Sequence, residues 1–247
     1  GFIVAPLAAE VLLRWVSWRG VMMAIGCISL TVGLAFARFG RGSRFRGHPP
    51  NLAAIKQMTR QRSFWVMAAL FSLGLAGTNG IFSMLPLYLV SQHGLARQVT
   101  NLLVALSRIS GLGMVFLAGW ASDRLGPRRA LAGVLAINGV LTVLLGLTSE
   151  GPLLLLIFLQ PAIASCFFPP AFAELSRTSP PKARSLAVSL TVPAAFMVGS
   201  GVIPAGIGLA GQAGSFGAGI VVVGGMILAG LILLPGLRSV DQLGKEV

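Results

Sequence analysis

Long apolar runs alternate with short charged or Pro/Gly-rich breaks along the chain, and the runs lack the polar face of an amphipathic helix or a half-buried strand. They fall at about residues 20–38, 64–90, 98–121, 130–148, 152–175, 185–210 and 214–237. Each approaches or exceeds the ~20 residues a helix needs to cross a ~30 Å hydrocarbon layer, so the pattern predicts seven membrane-spanning helices. A shorter run, residues 1–13, stops at Arg14 and opens on Gly1 rather than Met. It would rise only ~20 Å as a helix, which predicts the second half of a span whose beginning is missing. A signal peptide is not expected, because the run lacks a basic start and a small-residue cleavage pattern.

Composition agrees: of 247 residues, 55% are hydrophobic and 10% charged, with mean hydropathy +0.86, whereas soluble domains carry about 25% charge. Charge placement adds a topology, since short cytoplasmic loops collect Lys and Arg. Most of the 19 cations lie in alternate breaks: Arg38, Arg41, Arg44, Arg46, Lys56, Arg60 and Arg62; Arg124, Arg128 and Arg129; Arg177, Lys182 and Arg184; Arg238 and Lys245. The opposite breaks hold Arg14, Arg19 and Arg97, and Arg108 stands within a run. The bias predicts a multi-pass protein of the plasma membrane, or cell inner membrane, with a cytoplasmic C-terminus. It also accounts for the net charge of +13. A nucleic-acid groove would need cations clustered with stacking aromatics, so no nucleic-acid partner is expected.

An internal repeat is visible at an offset of 198 residues, where Gly1, Val4, Pro6 and Ser17 fall on Gly199, Val202, Pro204 and Ser215. Both segments run outward, break and re-enter, as corresponding helices of parallel six-helix repeats would. The stretch AGWASDRLGPRRAL, residues 118–131, crowds Asp123, Arg124, Arg128 and Arg129 between two apolar runs. It resembles the loop signature of the major facilitator superfamily, G-x-x-x-D-R-x-G-[RK]-[RK], in Gly119, Asp123, Arg124, Gly126 and Arg128. Pro127 takes the first basic position and Arg129 extends the basic pair.

The resemblance covers essentially the whole chain and implies an all-α polytopic membrane protein: a complete C-terminal six-helix half plus part of the N-terminal half. The expected divisions are residues 1–38 for the end of the N-terminal half, 39–62 for a cytoplasmic central loop, 63–237 for the C-terminal half and 238–247 for a cytoplasmic tail. The implied function is secondary transport of a small solute by alternating access, with H⁺ or another ion as coupling partner and the missing N-terminal half as structural partner. A drug or metabolite efflux antiporter is one alternative. GFIVAPLAAE resembles the antiporter signature G-x-x-x-G-P-x-x-G-G, but Ala5, Ala9 and Glu10 occupy three of its glycine positions. A non-transporting membrane fragment is another alternative, since one half cannot enclose the usual cavity. No catalytic constellation or Walker loop is readable, so neither an enzyme nor a cofactor is expected.

The signature also names gate residues. Gly119 is suited to close helix approach and Gly126 to a tight reversal, while Asp123 can accept charge-assisted hydrogen bonds from Arg124, Arg128 or a helix N-terminus. The resemblance implies that this loop holds the cytoplasmic side in one state of alternating access, with Arg129 part of its basic pair. Glu174 has Arg177 three residues on and Arg184 begins the next run, so these are expected to support the same gate.

For the solute, Arg108 lies near the middle of a run, where a cation is costly unless it faces a cavity or a partner. A guanidinium there suits the carboxylate or phosphate of an organic anion, although a structural contact with helix carbonyls fits equally. Related organic-anion carriers often place this arginine about two turns nearer the aspartate, where Val115 stands here. Asn79 among glycines and Gln160 beside Pro161, where the helix could break, are further solute-contact candidates. Tyr88, His93 and the stretch 167–170 are expected at rims or in packing, Cys27 and Cys166 as small core residues, and no metal site from His48 or His93.

Overall fold

The computed structural model describes residues 12, 15–40, 52–148, 151–180 and 183–237. Apart from Leu12, the run at 1–13 lies outside the described residues, as do Arg14, Arg41, Arg44, Arg46, His48, Lys182, Arg238 and Lys245. Among the described residues seven helices are long and apolar enough to cross a membrane: Trp18–Phe39, Arg62–His93, Arg97–Leu125, Pro127–Leu147, Leu153–Thr178, Arg184–Gln212 and Phe216–Gly236. Each predicted run has its helix, and no strand occurs among the described residues. The chain forms two compact units, residues 1–50 and 51–247.

In the first unit, α1 (Trp18–Phe39) buries Val21 and otherwise exposes apolar side chains. Its ends carry cation–aromatic pairs, Arg19 at 5.0 Å from the Trp18 ring and Arg38 at 5.9 Å from Phe39, the composition suited to both membrane interfaces. Cys27, expected in a core, is exposed on this helix.

The second unit opens with α2 (Leu52–Thr59), a two-turn helix inside the stretch expected to be a loop. The helix-forming run there is consistent with its propensity, and Met58 is buried. Then α3 (Arg62–Leu75) passes through a π-turn, Ala76–Gly80, into α4 (Ile81–His93). Gly94, at φ 63°, ends α4 with its N–H on the Leu89 carbonyl, as a left-handed cap requires.

Next come α5 (Arg97–Leu125) and α6 (Pro127–Leu147). The charged motif was expected as a break of several residues, but Gly126 alone separates the two helices. Its φ of 86° is open to glycine, and Pro127 starts α6 where a missing N–H costs nothing. Asp123 and Arg124 thus occupy the last turn of α5, and Arg128 and Arg129 the first turn of α6.

The Leu153–Thr178 span comprises α7 (Leu153–Ser165) and α8 (Phe168–Thr178). Its break is at Cys166 and Phe167, not at Gln160–Pro161. Pro161 is accommodated within α7, whereas Pro169 and Pro170 cannot donate to the Ser165 and Cys166 carbonyls four residues back. Phe167 fills the break, its ring 5.5 Å from that of Phe71. A Cβ on Gly74 would overlap the same ring.

The last described elements are α9 (Arg184–Met197), a π-turn at Val198–Val202, α10 (Ile203–Gln212), α11 (Phe216–Ala229) and a 3₁₀ segment, Gly230–Gly236. The core of the second unit holds large apolar side chains such as Met67, Phe71, Leu131 and Phe167, but α5 packs the other way, burying Thr100, Val104, Ser107, Gly111, Ala118 and Ser122 while exposing Leu112, Phe116 and Trp120. Hydrocarbon is as good a solvent as a leucine core, so small residues that let backbones approach form the contacts. Between α6 and α11 this gives a glycine seam with Gly139 over Gly224 and Gly146 over Gly217.

Candidate functional site

Arg108, eleven residues into α5, is half-buried. Its Nη2 donates to Asn79 Oδ1 at 3.4 Å, and the guanidinium carbon stands 3.7 Å from the centroid of the Phe82 ring. The π-turn presents Asn79 here, and such single-turn bulges recur at functional sites. The two candidates therefore share one place, beside an aromatic face that favours a cation. Phe82 was not singled out from the sequence, because one phenylalanine in an apolar run carries no signal of what it faces.

Gln160 is 1% exposed. Its Nε2 lies within donating distance of the Gly77 carbonyl at 2.9 Å, Asn138 Oδ1 at 3.1 Å and Thr142 Oγ1 at 3.3 Å. Thr142 in turn donates to the Asn138 carbonyl at 2.8 Å, joining α7, α6 and the π-turn through buried polar atoms. Asn138 and Thr142, four apart in an apolar run, had the same polar-in-span signal as Asn79 and were not singled out. Replacing Gln160 with Leu should lower stability by about 1–3 kcal/mol through the acceptors left buried, read as a lower melting temperature in detergent. Unchanged melting would show that this network does not support the fold.

At one end of the bundle, Arg128 directs Nη1 to the Leu237 carbonyl at 3.3 Å and Nη2 to the Leu234 carbonyl. A cation in the first turn of α6 is at the unfavourable end of that helix's dipole, and the carbonyl end of Gly230–Gly236 offers the favourable one. Glu174 is buried on α8 in the field of Arg177 and Arg128. Arg184 Nε donates to the Ser176 carbonyl at 3.0 Å, tying the start of α9 to α8. Arg128 and Arg184 are thus engaged with helix ends, and Glu174 is buried near two cations.

The other motif residues differ from expectation. Arg128, proposed as a donor to Asp123, is spent on backbone carbonyls instead. Asp123, Arg124 and Arg129 are exposed, with Arg124 5.5 Å from the Trp120 ring. Gly119 makes no close helix approach among the described residues; a Cβ there would have open space. Glycine is needed instead in the α6–α11 seam and where the two π-turns meet, a Cβ on Gly80 standing 2.7 Å from the Gly199 carbonyl oxygen. Tyr88 is a packing residue as expected, its hydroxyl donating to the Leu145 carbonyl at 2.7 Å. Among the described residues no group of three or more His, Cys, Asp or Glu could hold a metal ion.

A family model for the Major Facilitator Superfamily matches residues 1–151 and again residues 91–246. The chain belongs to the major facilitator superfamily. Seven apolar spans make this superfamily member a multi-pass integral membrane protein. No curated protein matches it. Among solved structures it is similar to a bacterial homologue of the human lysosomal transporter Spinster in an inward-facing, unoccupied conformation, with TM-score 0.61 and 16% identity over 95% of this chain and 61% of that one. The inward-facing, occupied form of such a homologue gives TM-score 0.52 and 15% identity over 95% and 60%. At these identities the likeness is one of fold, and the chain spans about three fifths of those structures' length.

Proposed function

We propose that this superfamily member is part of a secondary carrier that moves a small organic anion by alternating access, with Arg108 as the anion-binding group. The observation that carries the reading is a guanidinium inside a span, half-buried, beside the Asn79 amide and over the Phe82 ring. Membership of a transporter superfamily and the fold shared with a transporter homologue support the coarser part. Asn79 would orient the guanidinium and then yield it to a carboxylate or phosphate, which offers stronger, charge-assisted bonds. Gln160 is assigned to holding the π-turn that carries Asn79 rather than to the solute.

The divisions follow the family: residues 1–38 end the N-terminal half, 39–62 are a cytoplasmic loop, 63–237 form the C-terminal half and 238–247 a cytoplasmic tail. The remainder of the N-terminal half completes the cavity, and H⁺ or another ion supplies coupling. The test is uptake by the restored full-length carrier in proteoliposomes. Accumulation of carboxylated or phosphorylated solutes over neutral analogues is expected, and transport of neutral solutes alone would overturn the anion assignment.

We assign the Asp123–Arg129 motif, with Gly119, Glu174 and Arg184, to the gate between conformations, centred on Arg128. Arg128→Gln should slow the full-length carrier severalfold while membrane insertion persists, because it frees the 234 and 237 carbonyls and leaves Glu174 with Arg177, shifting the balance between states. Equal rates for parent and variant across solute concentrations would remove Arg128 from the gate.

A further inference from the structure

We propose that the elbow between α2 and α3 binds the headgroup of an anionic phospholipid, held by Lys56, Arg60 and Arg62 beside Trp65. Met58 is 5% exposed and lines a small cleft with Phe64 and Leu175, so α2 is seated against the bundle. The turn is tight: Gln61 donates to the Met58 carbonyl at 3.0 Å and Phe64 to the Gln61 carbonyl at 3.1 Å. All three cations are exposed on this anchored elbow. Lys56 lies in the last turn of α2, Arg60 in the turn that follows it and Arg62 at the start of α3.

Trp65 supplies the second observation. It is 61% exposed, yet its indole Nε1 donates to the Thr59 carbonyl at 2.8 Å. The polar edge of the ring is thereby pinned to the end of α2 while its apolar face is left outward, the disposition of a tryptophan at the headgroup level. The site thus has a cationic part for a phosphate, where arginine offers bidentate geometry, and an aromatic part for the glycerol and upper acyl region.

Among the described residues no carboxylate pairs with these cations. The described residues hold two, Asp123 at the end of α5 and Glu174 in the field of Arg128 and Arg177. A topology signal alone would need the cations on this side of the membrane; it would not need them on a seated helix beside a pinned interfacial indole.

The test uses the full chain with Trp15, Trp18 and Trp120 replaced by phenylalanine, reconstituted in phosphatidylcholine vesicles. A small fraction of brominated phosphatidylglycerol or brominated phosphatidylcholine is added, and quenching of Trp65 is measured. The anionic lipid should be preferred on the order of tenfold. Lys56→Gln/Arg60→Gln/Arg62→Gln should erase the preference, and the charge-keeping Lys56→Arg/Arg60→Lys/Arg62→Lys should retain most of it. Millimolar inorganic phosphate should not reverse the quenching. Equal quenching by the two lipids in the parent would overturn the proposal, as would a preference surviving in the glutamine variant. Reversal by inorganic phosphate would overturn the lipid assignment in favour of a free-phosphate site.

Discussion

Arg108→Gln should abolish most binding of an anionic solute by the full-length carrier while leaving its melting temperature close to the parent's. A charged hydrogen-bonded contact contributes about 1.5–3 kcal/mol, so affinity should fall roughly tenfold to more than a hundredfold. Arg108→Lys keeps the charge but loses the planar fork and its stacking on Phe82, and should fall between the two. A purely structural arginine would show the reverse pattern. Its loss would lower membrane abundance and melting temperature, because the guanidinium on Asn79 and the Phe82 ring would be a joint between α5 and the π-turned span. Solute binding and melting must therefore be measured on the same preparations. Parental affinity of the glutamine variant for every transported anion would remove Arg108 from the site.

Gly146→Val should destabilise the chain more than any other single change considered. A Cβ at this position would stand 2.6 Å from the Gly217 carbonyl oxygen and 2.9 Å from the Val221 nitrogen. Both are backbone atoms, so no side chain can turn aside, and α6 and α11 would have to separate. Overpacking costs about 1–3 kcal/mol and occasionally more, and parting this seam would also disturb the neighbouring Gly139–Gly224 contact, where a Cβ on Gly224 would lie 3.0 Å from the Gly139 carbonyl oxygen. Thermal unfolding in detergent should show a marked fall in the midpoint. Gly133→Val on the same helix is the control, since a Cβ there would meet nothing within 4 Å. Equal midpoints for the two variants would refute the seam.

The sequence by itself determined the seven spans, a reversal at Gly126 and the superfamily, though not how short the break would be. These depend on properties carried locally: hydropathy summed over a helix length and the backbone freedom of one glycine. The glycines near Asn79 also pointed to a loosened helix where the π-turn lies. Tertiary structure decided which polar groups meet. Arg128 is 106 and 109 residues from the carbonyls it binds, and Gln160 is 83 residues from Gly77. Local spacing offered Asp123 as a partner for Arg128 and a solute for Gln160. The folded chain provided helix-end carbonyls and buried amides instead, since a polar side chain in a bundle takes whichever acceptor packing brings near, and burial without one is costly. The same holds for Gly119 and the α6–α11 glycines: composition shows that small residues are present, but only the helix axes decide which of them another backbone must approach.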